Sequence, residues 1–227
     1  MEVAQFGFEP APPLRKEEIM IRKLLTFVLP IALAACASGP QEVTPAATGA
    51  ASMAKAERPE IKVGDKWVSA CTYGQKKFNS VTVVTSVDQS RIKATRDGKA
   101  LALTLDLNEV ESSEFSNSDG RALSFPLEVG KQWKATNQWV NHEAPYHGSE
   151  QLKVRVVGYA KVKVPAGEFD AFKLRWDSSW MDNTGGTGTT EGTYWYAPAV
   201  RGVVKLERSR HWDPDLNCEL TEFQLQP

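Results

Sequence analysis

Two of the three histidines of this chain lie in one short segment, beside a carboxylate. The segment is Asn141-His142-Glu143-Ala144-Pro145-Tyr146-His147. Imidazole and carboxylate groups bind zinc, and the same groups act as general acids and bases in hydrolysis. The spacing of His142, Glu143 and His147 matches no common metal site, and Pro145 places them on a loop. The sequence therefore favours a solvated loop and no metal, with a hydrolase site at these three residues as an alternative.

No other segment carries a recognised catalytic or cofactor-binding pattern. The chain contains no G-x-S-x-G, H-E-x-x-H, C-x-x-C or G-x-x-x-x-G-K-[ST] sequence. The glycine-rich stretch 183–188 lacks the lysine and the following helix of a phosphate loop, so it is more typical of a mobile hairpin tip. The sequence therefore predicts no cofactor and favours a protein that is not an enzyme.

Large side chains on alternating positions are the more suggestive feature. They recur in two predicted strands, 168–181 and 192–196. On the inner face of a curved sheet such residues can simply form the core, which is the favoured interpretation. The alternative is a concave apolar pocket that holds a lipid or another apolar ligand. The candidate ligand-lining residues are Phe172, Leu174, Trp176, Trp180, Tyr194 and Tyr196.

The pattern that must position these residues has a period of two. Leucines occupy every second position from Leu101 to Leu107, and apolar residues alternate with lysine and arginine from Leu152 to Val164. This alternation is typical of antiparallel strands with one buried and one solvated face. No comparable stretch has the spacing of an amphipathic helix, so we predict almost no helix.

Turn residues divide the strands. Asp97-Gly98 supplies a hairpin turn, 117–120 separates strands at 114–115 and 122–125, and further turns occur at 165–167 and 197–202. The result is about ten to twelve strands in sequential hairpins, and a meander of that length must curl, split or close. We predict an all-β domain with one strongly curved antiparallel sheet, a partial or complete barrel, in which Gly158 marks a bend or bulge.

The N-terminal region resembles a signal for export. The apolar run Leu24–Ala35 is shorter than the about 20 residues of a membrane-spanning helix, and Arg22 and Lys23 precede it. This order is typical of a secretory signal peptide, which we place at residues 1–35. Residues 1–19 are acidic and proline-containing, so we expect that Met20 is the true start; a genuine N-terminal extension is the alternative.

The end of the run, Leu33-Ala34-Ala35-Cys36, resembles the lipobox of bacterial lipoproteins. This resemblance implies cleavage before Cys36 and diacylation of its thiol, with about 0.8 kcal/mol of membrane affinity for each buried methylene. Ala37 rather than aspartate follows, so the resemblance to lipoproteins of Gram-negative bacteria implies the periplasmic face of the outer membrane. The alternative is an ordinary signal peptide with an incidental cysteine.

A composition change separates a tether from a domain. Residues 36–59 are mostly small or polar and cannot bury enough surface to offset their ordering entropy, so we predict a flexible tether about 25 Å long. Every tryptophan lies in residues 60–227, which we predict to be one β-rich periplasmic domain. The formal net charge of −1 and the absence of a basic cluster argue against nucleic acid as a partner.

The two remaining cysteines fall in the first and last predicted strands. In an oxidising compartment an even pair is expected to form a disulfide, so we predict a Cys71–Cys218 bond. The bond requires the two end strands to be neighbours, with Cα atoms within about 7 Å. Two free thiols are the alternative.

Three segments, 125–133, 164–174 and 192–205, resemble an uncharacterised group of β-rich periplasmic proteins and lipoproteins of Gram-negative bacteria. In that group an FPL–VG–W turn, a VPAG–F–AFK hairpin and a YWYAP–G–VK hairpin recur in this order. The resemblance covers about residues 60–225. It implies fold and compartment, and it carries over no activity and no functional residue.

These observations favour an outer-membrane lipoprotein that binds a lipid, another apolar ligand or an envelope protein. The second hypothesis is an assembly or structural factor that adds a partner strand to an exposed sheet edge. The hydrolase is the third.

Overall fold

The computed structural model describes residues 54–118, 121–211 and 213–227. Cys36, the predicted signal peptide 1–35 and most of the predicted tether lie outside these ranges. Within them, the helical structure is a single 3₁₀ turn at Pro198–Val200. The prediction of an all-β domain with almost no helix is confirmed. No helix of the described residues has the length and apolar character needed to cross a bilayer.

The described strands follow one another along the chain with short connections. They are β1 Lys55–Ala56, β2 Lys66–Tyr73, β3 Lys76–Val87, β4 Arg91–Arg96, β5 Lys99–Thr104, β6 Glu109–Ser112, β7 Phe115–Asn117, β8 Leu127–Glu128, β9 Gln132–Asn141, β10 His147–Val164, β11 Gly167–Asp182, β12 Thr187–Ala197, β13 Gly202–Arg210 and β14 Asp213–Gln224.

Twelve of these strands form a closed antiparallel barrel in the order β10-β11-β12-β13-β14-β2-β3-β4-β5-β6-β7-β9. The predicted curved sheet is therefore confirmed, and it closes completely. Two antiparallel pairings join strands that are not consecutive in the chain: β14 with β2, and β7 with β9. A second, two-stranded sheet pairs β1 with β8.

The turns follow the predicted chemistry. Asp97 and Gly98 have φ values of 54° and 78°, the left-handed conformation that a tight hairpin requires. Pro165 and Ala166 connect β10 to β11, the two longest strands. The register of β10 shifts between Val156 and Gly158, so the bulge expected at this glycine is present.

Residues 122–125 do not form the strand that was expected there. This segment leaves the barrel wall and packs inside it, where side chains replace a neighbouring strand: Asn108 bonds the backbone of Leu123, and Lys131 Nζ donates to the carbonyls of Ser124 and Pro126. The Asn108 side chain donates to the Leu123 carbonyl and accepts from the Leu123 amide, both at 2.8 Å. Leu123 and the following Leu127 are buried in the main apolar cluster.

We call residues 122–128 together with β1 the plug. Its buried apolar members are Ala56, Leu123 and Leu127, and together with the partly buried Ala122 and Phe125 they pack against one face of β10, β11 and β12. Leu107 contacts both this cluster and the apolar cluster of β3, β4 and β5, so the two faces look toward each other across the lumen. Lys55 and Ala56 belong to the predicted tether, yet they pair with Glu128 and Leu127, because the small Ala56 side chain fits against the buried core.

The barrel closes where its first and last strands meet. Cys71 of β2 and Cys218 of β14 are direct cross-strand partners, and a disulfide joins them with their Cα atoms 4.1 Å apart. The predicted bond is confirmed.

Asp65 gathers the chain segments next to this seam. Its side chain is fully buried and accepts hydrogen bonds from the amides of Lys62 and Gln226, at 3.0 and 2.7 Å. Arg201, directly after the 3₁₀ turn, approaches the same carboxylate at 3.3 Å. A buried carboxylate needs such partners, since unpaired burial of its charge would cost several kcal/mol.

We expect the Cys71→Ala, Cys218→Ala double variant to lose up to about 4–5 kcal/mol of unfolding free energy, because the bond closes a loop with a sequence separation of 147 residues. Urea unfolding with and without reductant measures this. Reductant should lower the stability of the wild type to that of the variant and leave the variant unchanged. A wild type that is insensitive to reductant would contradict the expectation.

Candidate ligand-binding site in the barrel lumen

The two ends of the barrel differ. At one end, which we call the plugged end, lie the plug, the β10–β11 turn and the 3₁₀ turn. The turns β2–β3, β4–β5, β9–β10 and β11–β12 lie at the other end, which we call the hairpin end. β10 and β11 therefore run between the two ends, and their lumen faces change from apolar to polar along the way.

All six candidate ligand-lining residues lie on the lumen face, but they fall into two groups. Phe172, Leu174 and Tyr196 are fully buried against the plug, and Tyr196 makes an edge-to-face contact with Phe125 at 5.0 Å between ring centres. Their packing is that of core residues. Trp176, Tyr194 and Trp180 lie farther toward the hairpin end, where Trp176 stacks on Tyr194 at 5.9 Å.

The inward side chains of the barrel wall differ in how far they are buried. Cross-strand register places one level of inward side chains around six strands: Leu174, Tyr194, Leu206, Cys218, Cys71 and Phe78. Leu174 has no exposed surface, whereas Phe78 at the far side of the same level is 38% exposed. Tyr194 and Leu206 are half-buried. At this level the accessible apolar surface is therefore mainly that of Phe78 on β3, since the intervening Cys71 is only 3% exposed.

Glycines let two tryptophan rings lie flat against the wall. A Cβ at Gly192 would lie 2.4–2.6 Å from the indole atoms of Trp176, including Nε1. A Cβ at Gly148 would likewise meet the Trp139 ring at 2.7 Å. The Trp176 ring therefore extends from β11 over β12, with its Nε1 beside Gly192.

Charged side chains enter the lumen from opposite walls. Arg96 of β4 pairs with Glu109 of β6 at 2.6 Å, and Arg210 of β13 pairs with Asp213 at 3.4 Å. Tyr73 donates a hydrogen bond to the same Asp213 carboxylate.

Tyr194 lies where these charges converge. Burial raises the pKa of its hydroxyl to about 12; the charges of Arg208 and Arg96 lower this pKa slightly and those of Glu150 and Glu109 raise it slightly. These four residues belong to β13, β4, β10 and β6, so the lumen is narrow enough here for both walls to influence one hydroxyl. Burial also raises the pKa of Tyr196.

Four buried polar atoms near Tyr194 have no hydrogen-bond partner among the described residues. They are Trp176 Nε1, Ser178 Oγ, Arg208 Nε and Arg210 Nε. Buried polar atoms nearly always have a hydrogen-bond partner, so four unpartnered atoms close together need an explanation. Burial, followed by the charge of Arg210, lowers the pKa of Arg208.

Sequence reasoning missed these polar groups. The signal was present, since Leu206, Arg208 and Arg210 alternate on one face of β13, which places two arginines on the same side as an apolar residue. Charged residues normally indicate the solvated face of a strand, and only the closed barrel shows that this face looks inward.

The histidine loop does not assemble a catalytic triad. His142 Nε2 lies 2.5 Å from Ser116 Oγ and 3.6 Å from Glu111 Oε1, so both groups face the same ring nitrogen. A triad holds its carboxylate on the other nitrogen. The amide of His147 donates to Asn183 at 3.1 Å. No cluster of three histidine, cysteine or acidic residues in the described chain is arranged to hold a metal ion.

Two surface grooves are lined mainly by outward-facing residues of the wall, together with Cys71 and Phe78 in one and Trp176, Gly192 and Arg208 in the other. One has a volume of about 680 Å³ and includes Lys205 and Glu219; the other has about 560 Å³ and includes Arg155 and Arg175. Both are lined by charged residues of alternating sign, and neither contains the aromatic pair Trp176–Tyr194 as a whole.

We expect the unfolding free energy to fall as pH rises from about 10 to about 12, because the folded-state pKa of Tyr194 is above the unfolded value near 10. The stabilisation is fully present below pH 10 and is lost as the pH approaches 12. Between pH 10 and 12 the unfolding free energy of the Tyr194→Phe variant should fall by up to about 3 kcal/mol less than that of the wild type. Urea unfolding at both pH values measures the difference, and Tyr146→Phe, at an exposed loop position, is the control that should behave as wild type.

Comparison with known proteins finds distant likeness in fold alone. No family model matches the chain, and no curated protein matches it. A protein of Parabacteroides distasonis described as a lipoprotein is 14% identical, with a TM-score of 0.49 and coverage of 74% of this chain and 99% of that one. An exported protein of Bacteroides fragilis with a YmcC-like fold is 15% identical at a TM-score of 0.47, with coverage of 74% and 99%. The hypothetical lipoprotein YmcC of Escherichia coli is 10% identical at a TM-score of 0.49, with coverage of 73% and 85%. At this distance the likenesses assign neither a family nor an activity.

Proposed function

We propose that the protein is a lipid-anchored envelope protein that binds a lipid or another apolar ligand in the lumen of its barrel. Cys36 carries the anchor, the domain lies on the periplasmic side of the outer membrane, and the ligand lies beside Tyr194, Leu206 and Phe78.

The anchor rests on the sequence around Cys36 and on the disulfide. A short apolar run that ends in Leu33-Ala34-Ala35-Cys36 supports export and lipidation. The Cys71–Cys218 bond supports an oxidising compartment such as the periplasm, since thiols are kept reduced in the cytosol.

The exposed apolar wall is the observation that carries ligand binding. An inward phenylalanine with 38% of its surface accessible leaves hydrophobic area in contact with water. Each Å² of such area that a ligand covers contributes about 25 cal/mol. Ligand sites in proteins are concave and mostly apolar, with a few polar groups that fix orientation, and the lumen beside Tyr194 has this composition.

The two other hypotheses find less support. Partner-strand addition needs a free edge, and the twelve barrel strands of the described chain pair on both sides. A hydrolase at His142, Glu143 and His147 lacks the nucleophile–base–acid geometry described above.

We expect the wild type to fractionate with the outer membrane and the Cys36→Ala variant to be lost from it, because the acyl chains at Cys36 supply the membrane affinity. Membrane fractionation with an intact-mass measurement of the mature protein tests this. The Cys71→Ala, Cys218→Ala variant is the control for loss of a cysteine and should stay membrane-bound. Retention of the Cys36→Ala variant in the outer membrane would contradict the anchor.

We expect a brominated long-chain alcohol to quench tryptophan fluorescence of the purified protein saturably, because Trp176 and Trp180 face the lumen. The Phe78→Asp variant should weaken this binding about tenfold or more, since it places a charge on the apolar wall. Asn79→Asp adds the same charge at the next residue, which faces outward, and it should bind as the wild type does.

Circular dichroism and an intact disulfide establish that both variants are folded. Equal weakening by Phe78→Asp and Asn79→Asp would show that the effect is one of general charge. Absence of saturable quenching in the wild type would overturn ligand binding in the lumen.

A further inference from the structure

The four unpartnered polar atoms lie in two adjacent rows of the lumen wall. Trp176, Gly192 and Arg208 are cross-strand partners in one row, and Ser178, Thr190 and Arg210 are partners in the next. Neighbouring strands are about 4.8 Å apart and residues two apart along a strand about 7 Å, so the patch measures about 10 by 7 Å. These dimensions suit one small head group.

Burial makes the lack of partners in this patch costly. Ser178 is 5% exposed and Trp176 is 8% exposed, yet neither the hydroxyl nor the indole N–H is bonded within the described chain. Leaving such a group unpaired costs about 1–3 kcal/mol each. The indole lies over Gly192, so its Nε1 is beside the cross-strand partner of Arg208.

One of the neighbouring cations, Arg208, makes no ion pair of its own among the described residues, although the charge of Asp213 also acts on it. Arg210 has Asp213 and Arg96 has Glu109 as ion-pair partners. Arg208 is half-buried and makes no ion pair in the part of the chain that the structure describes. The carboxylate of Glu150 lies opposite Trp180, one row beyond Ser178 and on the far side of β11 from Arg208. The patch therefore presents a positive charge at Arg208 beside the unpartnered donors of Trp176, Ser178 and Arg210.

We propose that Arg208, Trp176 and Ser178 bind the anionic head group of the ligand, a carboxylate or phosphate. This inference rests on the proposed function, which supplies the apolar part of the same ligand. The apolar residues Leu206 and Phe78 lie one row closer to the plugged end than Arg208 does. The ligand is thus an amphipathic acid with its tail toward the plug and its head group toward the hairpin end.

The chemistry explains the choice of side chains. A guanidinium offers paired N–H donors that match the two oxygens of a carboxylate or phosphate. The indole N–H and the hydroxyl donate to remaining oxygen lone pairs. Charge-assisted hydrogen bonds in a low-dielectric lumen are stronger than those in water. They therefore offset the cost of removing the head group from water and add to the affinity.

The test compares three probes on the whole purified protein: a brominated fatty acid, the brominated alcohol of equal chain length, and inorganic phosphate. Tryptophan quenching measures the two lipids, and calorimetry measures phosphate. We expect the wild type to bind the acid about tenfold or more tightly than the alcohol. Arg208→Gln should reduce that ratio to about one and leave alcohol binding unchanged. Arg175→Gln removes an arginine from the outer wall of β11 and should keep the wild-type ratio.

The outcomes separate this inference from the proposed function. Equal binding of acid and alcohol by the wild type overturns the head-group site and leaves lumen binding intact. A parallel loss of acid and alcohol binding in Arg208→Gln also overturns it, because Arg208 would then act on the structure of the lumen. Phosphate binding that Arg208→Gln abolishes, with no binding of either lipid, supports the anion site and overturns the apolar ligand. Binding of none of the three probes overturns both.

Discussion

A closed sheet of twelve strands encloses more space than its inward side chains can fill, and this constraint shapes the rest of the molecule. Side chains fill the interior of a barrel of about eight strands, whereas wider barrels need an internal segment or leave a lumen. Here the chain meets the constraint at one end with the plug, whose backbone is bonded by the side chains of Asn108 and Lys131. The packing of the core against β10, β11 and β12 follows from the position of the plug.

The change from an apolar to a polar lumen follows the same boundary. Beside the plug, the inner faces of β10, β11 and β12 carry aliphatic and aromatic residues that are fully buried. Beyond Tyr194 the same strand faces carry serine, threonine and, on β13, arginine. Polar groups in that position are costly in a dry core and inexpensive where a ligand or solvent can pair with them. The wall of one barrel thus contains an apolar half that packs against the plug and a more polar half beyond Tyr194.

The sequence predicted the wall of the barrel better than its contents. Alternation from Leu101 to Leu107 and from Leu152 to Val164, with Asp97-Gly98 and Pro165-Ala166 as turns, is local information, and strands, turns and the end-to-end cysteine pairing could be inferred from it. Residues 122–125 were expected as a strand because a short apolar run looks the same whether it lies in a wall or inside it. The side chain that decides the matter, Asn108, comes from a distant turn.

The candidate site shows the same limit. Period-two alternation identifies which residues share a face, so Phe172, Leu174, Trp176 and Trp180 could be grouped from sequence. Whether each member is core or lining depends on contact with Leu123 and Leu127, which lie more than forty positions away in the chain. Arg208 was overlooked because charge normally indicates the solvated face of a strand, and that rule fails for the inner wall of a wide barrel.

The entry of the chain into the fold has a mechanical consequence. The first described contacts of the N-terminal region are the pairings of Lys55 with Glu128 and of Ala56 with Leu127, both within the plug. Tension applied to the chain ahead of Ala54 therefore reaches the plug before it reaches any strand of the wall. A two-residue ladder yields more easily than a closed barrel fastened by a disulfide. Pulling on the N-terminus is therefore expected to displace the plug while the barrel wall stays folded.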